Sequence, residues 1–253
     1  MEERYALELI EKNKRIDDRK FEDFRPITIE QGIIQKAEGS ARVKLGDTEI
    51  IAGVKMNIGE PFSDTPNEGI LIVNSEFTPL ASPDFESGPP GEDAVELSRV
   101  VDRGLRESKC IELEKLCITP GEKVWAVFID IHIINHHGNL LDCAALAAIS
   151  ALLKTKMPKI VDEKIVREDY EKDLPVVAKP ITITVCKVGD KFIVDPTLEE
   201  ENILDSKLTI AVMDDDRICA LQKQGKREFD IDDIEKMVNI AIKKSGELRK
   251  LLD

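Results

Sequence analysis

The spacing of hydrophobic positions changes along the chain, and each change marks an element. Tyr5 and Leu9, flanked by Ala6, Leu7 and Ile10, predict an N-terminal helix over YALELIEKNKR. A charged connector, IDDRKFEDFRP, follows. Ile27, Ile29 and then Ile33 alternate as in a strand. ARVKLGDTEIIAGVKM reads as two alternating runs around Gly46-Asp47, where a glycine supplies the positive φ of a two-residue hairpin. GILIVNSEF is another strand, and the Pro-, Ser- and Gly-rich FTPLASPDFESGPPGED is a loop. A helix starts near Asp93 and continues through AVELSRVVDRGLRESK.

EKVWAVFIDIHIIN predicts a long strand covered on both faces. LLDCAALAAISALLKTK predicts a buried helix whose small residues allow close packing on a sheet. The polar MPKIVDEKIVREDYEKDLPVVAKP ends in prolines and is taken as the internal boundary. Beyond it, ITITVCKVGDKFIVD repeats the Gly-Asp hairpin at Gly189-Asp190, and LTIAVMDDDRICALQKQG forms a further hairpin. The chain closes with a helix over 231–252, capped by Asp230 or Asp232. Strands followed by helices, twice over, predict an α+β fold of two sub-domains. The expected division is a helix and connector over 1–30, sub-domain 1 over 31–158 and sub-domain 2 over 159–253.

Composition narrows the function classes. The chain has 253 residues, 42% hydrophobic and 34% charged, and a formal net charge of −14. No apolar run approaches the ~18 residues of a membrane helix. The charged start lacks a secretory apolar core, so a cytoplasmic location and no membrane contact are expected. Cys110, Cys117, Cys143, Cys186 and Cys219 are scattered and never C-x-x-C, the pattern of reduced thiols rather than of zinc or redox sites. The acidic balance repels nucleic acid unless a local basic patch or a basic partner intervenes.

Few residues offer chemistry. His132, His136 and His137 lack further ligands at metal-site spacing and read as strand-end and loop histidines. Phosphate-loop, dinucleotide and serine-hydrolase motifs are missing from the sequence. Arg99, Arg103 and Arg106 line one helix face, opposite Leu97, Val100, Val101 and Leu105. Such a row can grip successive phosphates. It can also be a solvated face paired with Glu96 and Glu107, and without further information that reading leads. VDPTLEEEN places Asp195, Glu199, Glu200 and Glu201 at the end of a strand, where a carboxylate pair or a Mg²⁺ site could form.

Four segments, in order, resemble the RNase PH family. RIDDRKFEDFRP is similar to its R-x-D-G-R-x-x-x-x-x-R-P signature, with Asp18 in place of glycine, and ELSRVVDRGLRE to its E-I-x-R-L-I-G-R-S-L-R helix. HHGNLLDCAALAAISALL is similar to its G-G-[ST]-R-[ST]-A-A-I-T-A-A helix, and IVDPTLEEEN stands where it has V-L-D-L-x-Y-x-E-D. The resemblance implies the RNase PH-like fold of two β-α sub-domains with mixed sheets and packed helices. It also implies phosphate-dependent RNA degradation from the 3′ end in active members. Here the phosphate-binding positions read Glu92 and Asp93 before the arginine-bearing helix and Asp142 in place of an arginine. Asp195 remains, followed by Pro196, and Glu201 takes the second Asp position. An anion facing phosphate costs on the order of 1–4 kcal/mol at ~4 Å.

This pattern resembles the non-catalytic RNase PH-like subunits of the archaeal exosome. That implies a heterodimer with a catalytic RNase PH-like subunit, three copies of which form a six-membered ring carrying RNA-binding cap proteins. It implies no catalytic residue, metal or cofactor in this chain, and contact of Arg99 and Arg103 with single-stranded RNA beside the neighbour's active site. Arg106 stays undecided between RNA and an ion-pair partner. The alternative is an RNase PH-type phosphorolytic exoribonuclease active on its own; a metal-dependent hydrolase built on the 195–201 acids ranks last.

Overall fold

The computed structural model describes residues 2–162 and 164–252. Helix α1 (Glu2–Glu11) leads into an irregular connector and strand β1 (Ile27–Gln31). Strands β2 (Gly39–Leu45) and β3 (Thr48–Gly59) form a hairpin, followed by β4 (Ile70–Glu76) and helix α2 (Glu92–Glu107). The short β5 (Cys117–Thr119) precedes β6 (Lys123–Asn135), and helix α3 (Leu140–Leu152) follows. A hairpin of β7 (Lys156–Val161) and β8 (Lys164–Asp173) stands by itself. Then come β9 (Ile181–Val188), β10 (Lys191–Val194), the short helix α4 (Leu198–Glu201), β11 (Ser206–Val212), β12 (Ile218–Gly225) and helix α5 (Ile231–Arg249).

The first sheet runs β1-β2-β3-β6-β4, with β5 beside β6, and only the β4–β6 pair is parallel. The second runs β10-β9-β11-β12 and is antiparallel throughout. Helix α3 packs on β2 and β3 of one sheet and on β9 of the other. Its residues from Leu141 to Leu152 are all buried, which is why alanines fill it: two sheets approach the same helix. Helix α5 packs on β9 and β11. One buried cluster therefore draws on both halves, from Val43 and Ile131 to Ile183 and Met237.

Both Gly-Asp hairpins form as read. Leu45 pairs with Thr48 and Val188 with Lys191, with Gly46 at φ +58° and Gly189 at φ +56°. Asp230 caps α5 in a reciprocal capping box with Asp233. One expectation fails: the N-terminal helix stops at Glu11, and it buries Ala6 and Ile10 while Tyr5 and Leu7 stay exposed. The polar stretch after 156 folds as the β7–β8 hairpin. Its charged strands hide their period, because little of either face is apolar.

Candidate nucleic-acid interface

The acidic cluster is spent internally. Asp195 sits just past β10 in the left-handed region, at φ +49°, with its side chain fully buried. Its carboxylate accepts hydrogen bonds from Arg25 N, Nε and Nη2 at 2.7, 2.9 and 2.6 Å, and from Arg19 Nη1 at 2.8 Å. Asn139 Nδ2 adds a bond at 3.1 Å. The Asp195 carbonyl accepts from Arg15 Nη2 at 2.7 Å and Arg19 Nη2 at 3.0 Å. Arg15 also forks onto Glu200, with Nε–Oε1 at 2.9 Å and Nη2–Oε2 at 2.5 Å, both side chains fully buried. The N-terminal arginines and the acids thus lock the connector onto the second sheet.

The remaining acids are placed by local structure. Thr197 and Glu200 close a capping box on α4. Glu201 Oε1 accepts the backbone N–H of Asn139 at 3.1 Å, at the head of α3, and Lys207 Nζ lies 3.8 Å away. A carboxylate therefore fills the electropositive end of that helix. Glu199 faces a cleft with Arg25, Asp47 and His137. Asp18 takes the left-handed conformation, φ +60°, that the glycine of the resembled signature would adopt.

The positions expected to oppose phosphate differ from one another. Glu92 and Asp93 are exposed in the first turn of α2, where acids favour the helix dipole. Asp142 is not a presented anion. It is fully enclosed, takes a hydrogen bond from Asn139 Nδ2 at 3.1 Å, and burial pushes its pKa up to about 7. Among the described residues the histidines join no group of three or more His, Cys, Asp or Glu side chains. His132 approaches Glu76 at 3.3 Å. His136 stacks on Phe85, and burial lowers its pKa. Cys110, Cys143 and Cys186 are buried and Cys117 and Cys219 half-buried, all free thiols.

Helix α2 separates its arginines by partner. Leu97, Val101 and Leu105 face the core, with Val100 half-buried. Arg106 is held by Asp102 through Nε–Oδ2 at 3.1 Å and Nη2–Oδ1 at 2.7 Å, and Nη2 also donates to the Leu71 carbonyl at 2.8 Å. Neither Glu96 nor Glu107 pairs with Arg99 or Arg103 among the described residues. Arg99 and Arg103 are exposed and line a cleft of about 470 Å³ with Gln222 and two acids, Glu92 and Glu96. Sequence reasoning missed Gln222, whose side-chain oxygen accepts from Arg103 Nη1 at 3.1 Å. Nothing in its local sequence marks a residue 119 positions from its partner.

An α+β architecture of two sheets around a buried helix, with basic side chains open on one face and no assembled metal cluster among the described residues, defines the class of protein. The chain belongs to the 3′ exoribonuclease family, the RNase PH family: its domain 1 matches residues 23–158 and its domain 2 residues 179–244. The chain is 51% identical over 249 residues to "Exosome complex component Rrp42" of Methanothermobacter thermautotrophicus, spanning 97% of this chain and 92% of that protein. It is 48% identical over 252 residues to the protein of the same name in Pyrococcus furiosus, spanning 98% and 91%. A chain of the solved structure "archaeoglobus fulgidus exosome with RNA bound to the active site" matches with a TM-score of 0.94 at 48% identity, covering 100% of this chain and 98% of that one.

Proposed function

We propose that this chain is the non-catalytic RNase PH-like subunit of an archaeal exosome, a phosphorolytic 3′-to-5′ RNA-degrading ring. One observation carries the reading: Arg15, Arg19 and Arg25 are paired with Asp195 and Glu200, so the acidic cluster after β10 acts as a structural lock rather than as half of a catalytic pair. Acids without free cations beside them cannot hold inorganic phosphate as a nucleophile. The names of the similar proteins and the RNA-bound neighbour support the same assignment.

In this reading a catalytic RNase PH-like partner supplies the phosphate-binding arginines and the general acid. Three such heterodimers close a ring, RNA-binding cap proteins sit on one face, and the ring works in the cytoplasm. Arg99 and Arg103 extend the neighbour's active site by holding the phosphates of single-stranded RNA. Arg106 belongs to its pair with Asp102. With the sub-domain division taken at 158/159, within β7, α2 and its arginines belong to sub-domain 1 and pack against β12 of sub-domain 2.

The test is an RNA-degradation assay at millimolar inorganic phosphate, on this chain alone and with the catalytic partner. The chain alone releases no nucleoside diphosphate, and the assembled ring does. Robust release by the pure chain overturns the assignment.

A further inference from the structure

We propose that Gln222 is a positioning residue for the RNA grip: its side-chain carbonyl orients Arg103 toward the cleft. The inference rests on the reading of Arg99 and Arg103 given above and adds to it a residue from the other half of the chain.

The geometry is built in layers. Helix α2 packs against the second sheet at Gly104, where an added Cβ would make only ordinary van der Waals contact with Ala211 Cβ and Thr182 Oγ1 at 3.5 Å. Strand β12 runs alongside α2, with Cys219 Sγ 3.5 Å from the Ala211 carbonyl of its own sheet and 3.7 Å from the Gly104 carbonyl. Counting along β12, Gln222 is one residue past Leu221 and lies beside Arg103, lining the same cleft as Arg99. Arg103, Val100, Thr182 and Gln222 line a narrow gap of about 10 Å³ between α2 and the second sheet.

The chemistry explains why an amide suits this place. A free arginine samples many rotamers, and ordering it on a phosphate costs conformational entropy. A carbonyl oxygen on one Nη removes part of that cost before RNA arrives. It does so without neutralising the guanidinium, which a carboxylate would. The contrast is present on the same helix: Arg106, three residues on, is held by the Asp102 carboxylate, which offsets its charge. Gln222 thus holds Arg103 as Asp102 holds Arg106, but leaves its charge available.

The experiment uses the ring assembled with the catalytic partner and a labelled single-stranded oligoadenylate, with affinity measured across a salt series. Gln222→Met, which keeps the shape but loses the acceptor, is expected to weaken binding about threefold to tenfold, the net scale of one ordinary exposed hydrogen bond. The salt slope should be unchanged, because Arg103 keeps its charge. Gln222→Glu is expected to weaken binding and to flatten the slope by about 0.7, one phosphate contact's worth, because an ion pair closes Arg103. In an Arg103→Ala background both Gln222 changes should be without further effect.

The outcomes separate the two levels. If Arg103→Ala leaves affinity and slope as in the wild type, the RNA-contact reading itself fails. If Arg103→Ala weakens binding but Gln222→Met and Gln222→Glu do not, the positioning role fails alone. Equal losses from Gln222→Met with and without Arg103 also overturn it, since they show an independent contribution. Should Gln222→Met impair ring assembly, the slope of the Gln222→Glu ring decides the question.

Discussion

Arg25 and Asp195, 170 residues apart, meet through three hydrogen bonds of 2.6–2.9 Å, one of them from the Arg25 backbone. The pair closes the connector over the end of β10 and uses up the carboxylate that the acidic strand displays in sequence. Arg25 Nη1 and Nη2 go on to the carbonyls of His137 and Gly138 at 2.6 and 3.2 Å, just ahead of α3. One guanidinium therefore ties three separated segments together.

Asp195→Asn tests whether that carboxylate is structural. Asparagine tolerates the left-handed backbone, so the change removes charge rather than conformation. Two arginines then face an amide in a buried site. Chemical denaturation of the isolated chain should show a loss of about 3–5 kcal/mol, the scale of breaking a buried ion pair. Turnover per assembled ring should stay within a few-fold of wild type. A fall of ~100-fold, the scale of a general acid–base group, would place chemistry in this chain.

Arg99→Glu/Arg103→Glu should weaken RNA binding and flatten its salt dependence by about 1.4, since each contact contributes roughly 0.7. Arg106→Gln should change neither, because Asp102 and the Leu71 carbonyl already occupy that guanidinium. Size-exclusion chromatography confirms that each ring is intact. An intact double variant with wild-type affinity and slope would reduce the pair to a solvated face.

Asp142 gives the stability a pH dependence of definite sign. Burial raises its pKa from 3.8 to about 7, so the folded chain binds a proton that the unfolded chain has released. Its contribution is fully present below about 3.8 and is lost as pH rises through about 7. The whole effect is on the order of 4 kcal/mol at 1.36 kcal/mol per unit. Asp142→Asn imitates the protonated form. Urea denaturation should find the variant more stable than wild type by about 1.6 kcal/mol at pH 5 and by about 4 kcal/mol at pH 8. A constant difference between the two pH values would contradict the assignment.

The two glycine turns should respond unequally to alanine. Gly46 and Gly189 share positive φ, so each substitution carries a backbone strain of roughly 1 kcal/mol. At Gly46 a Cβ would also lie 2.6 Å from Arg25 Cδ, and Arg25 cannot retreat without releasing Asp195. At Gly189 nothing lies within 4 Å. Gly46→Ala should therefore lower the denaturation midpoint clearly more than Gly189→Ala; equal shifts would mean that Arg25 moves freely.

Much of the architecture is local and was legible along the chain. Both Gly-Asp hairpins, the Asp230 cap and the buried alanine-rich helix follow from turn chemistry, capping and side-chain size, which act within a few residues. The β7–β8 hairpin was not legible, because its charged strands bury too little to show a period. Nor was the parallel pairing of β4 with β6, which no turn dictates.

The site divides in the same way. The sequence by itself determined which residue types are available: a row of arginines on one helix face, and four acids after a strand, in a chain of net charge −14. Only the tertiary structure decided which of these charges remain free. Arg15, Arg19 and Arg25 are neutralised by acids some 180 residues away, and Arg106 by Asp102 one turn back, while Arg103 meets an amide and Arg99 stays open to the cleft. The physical reason is that ion pairing depends on distance in space. Helical spacing brings Asp102 and Arg106 together, but no periodicity along the chain brings Arg25 to Asp195 or Gln222 to Arg103.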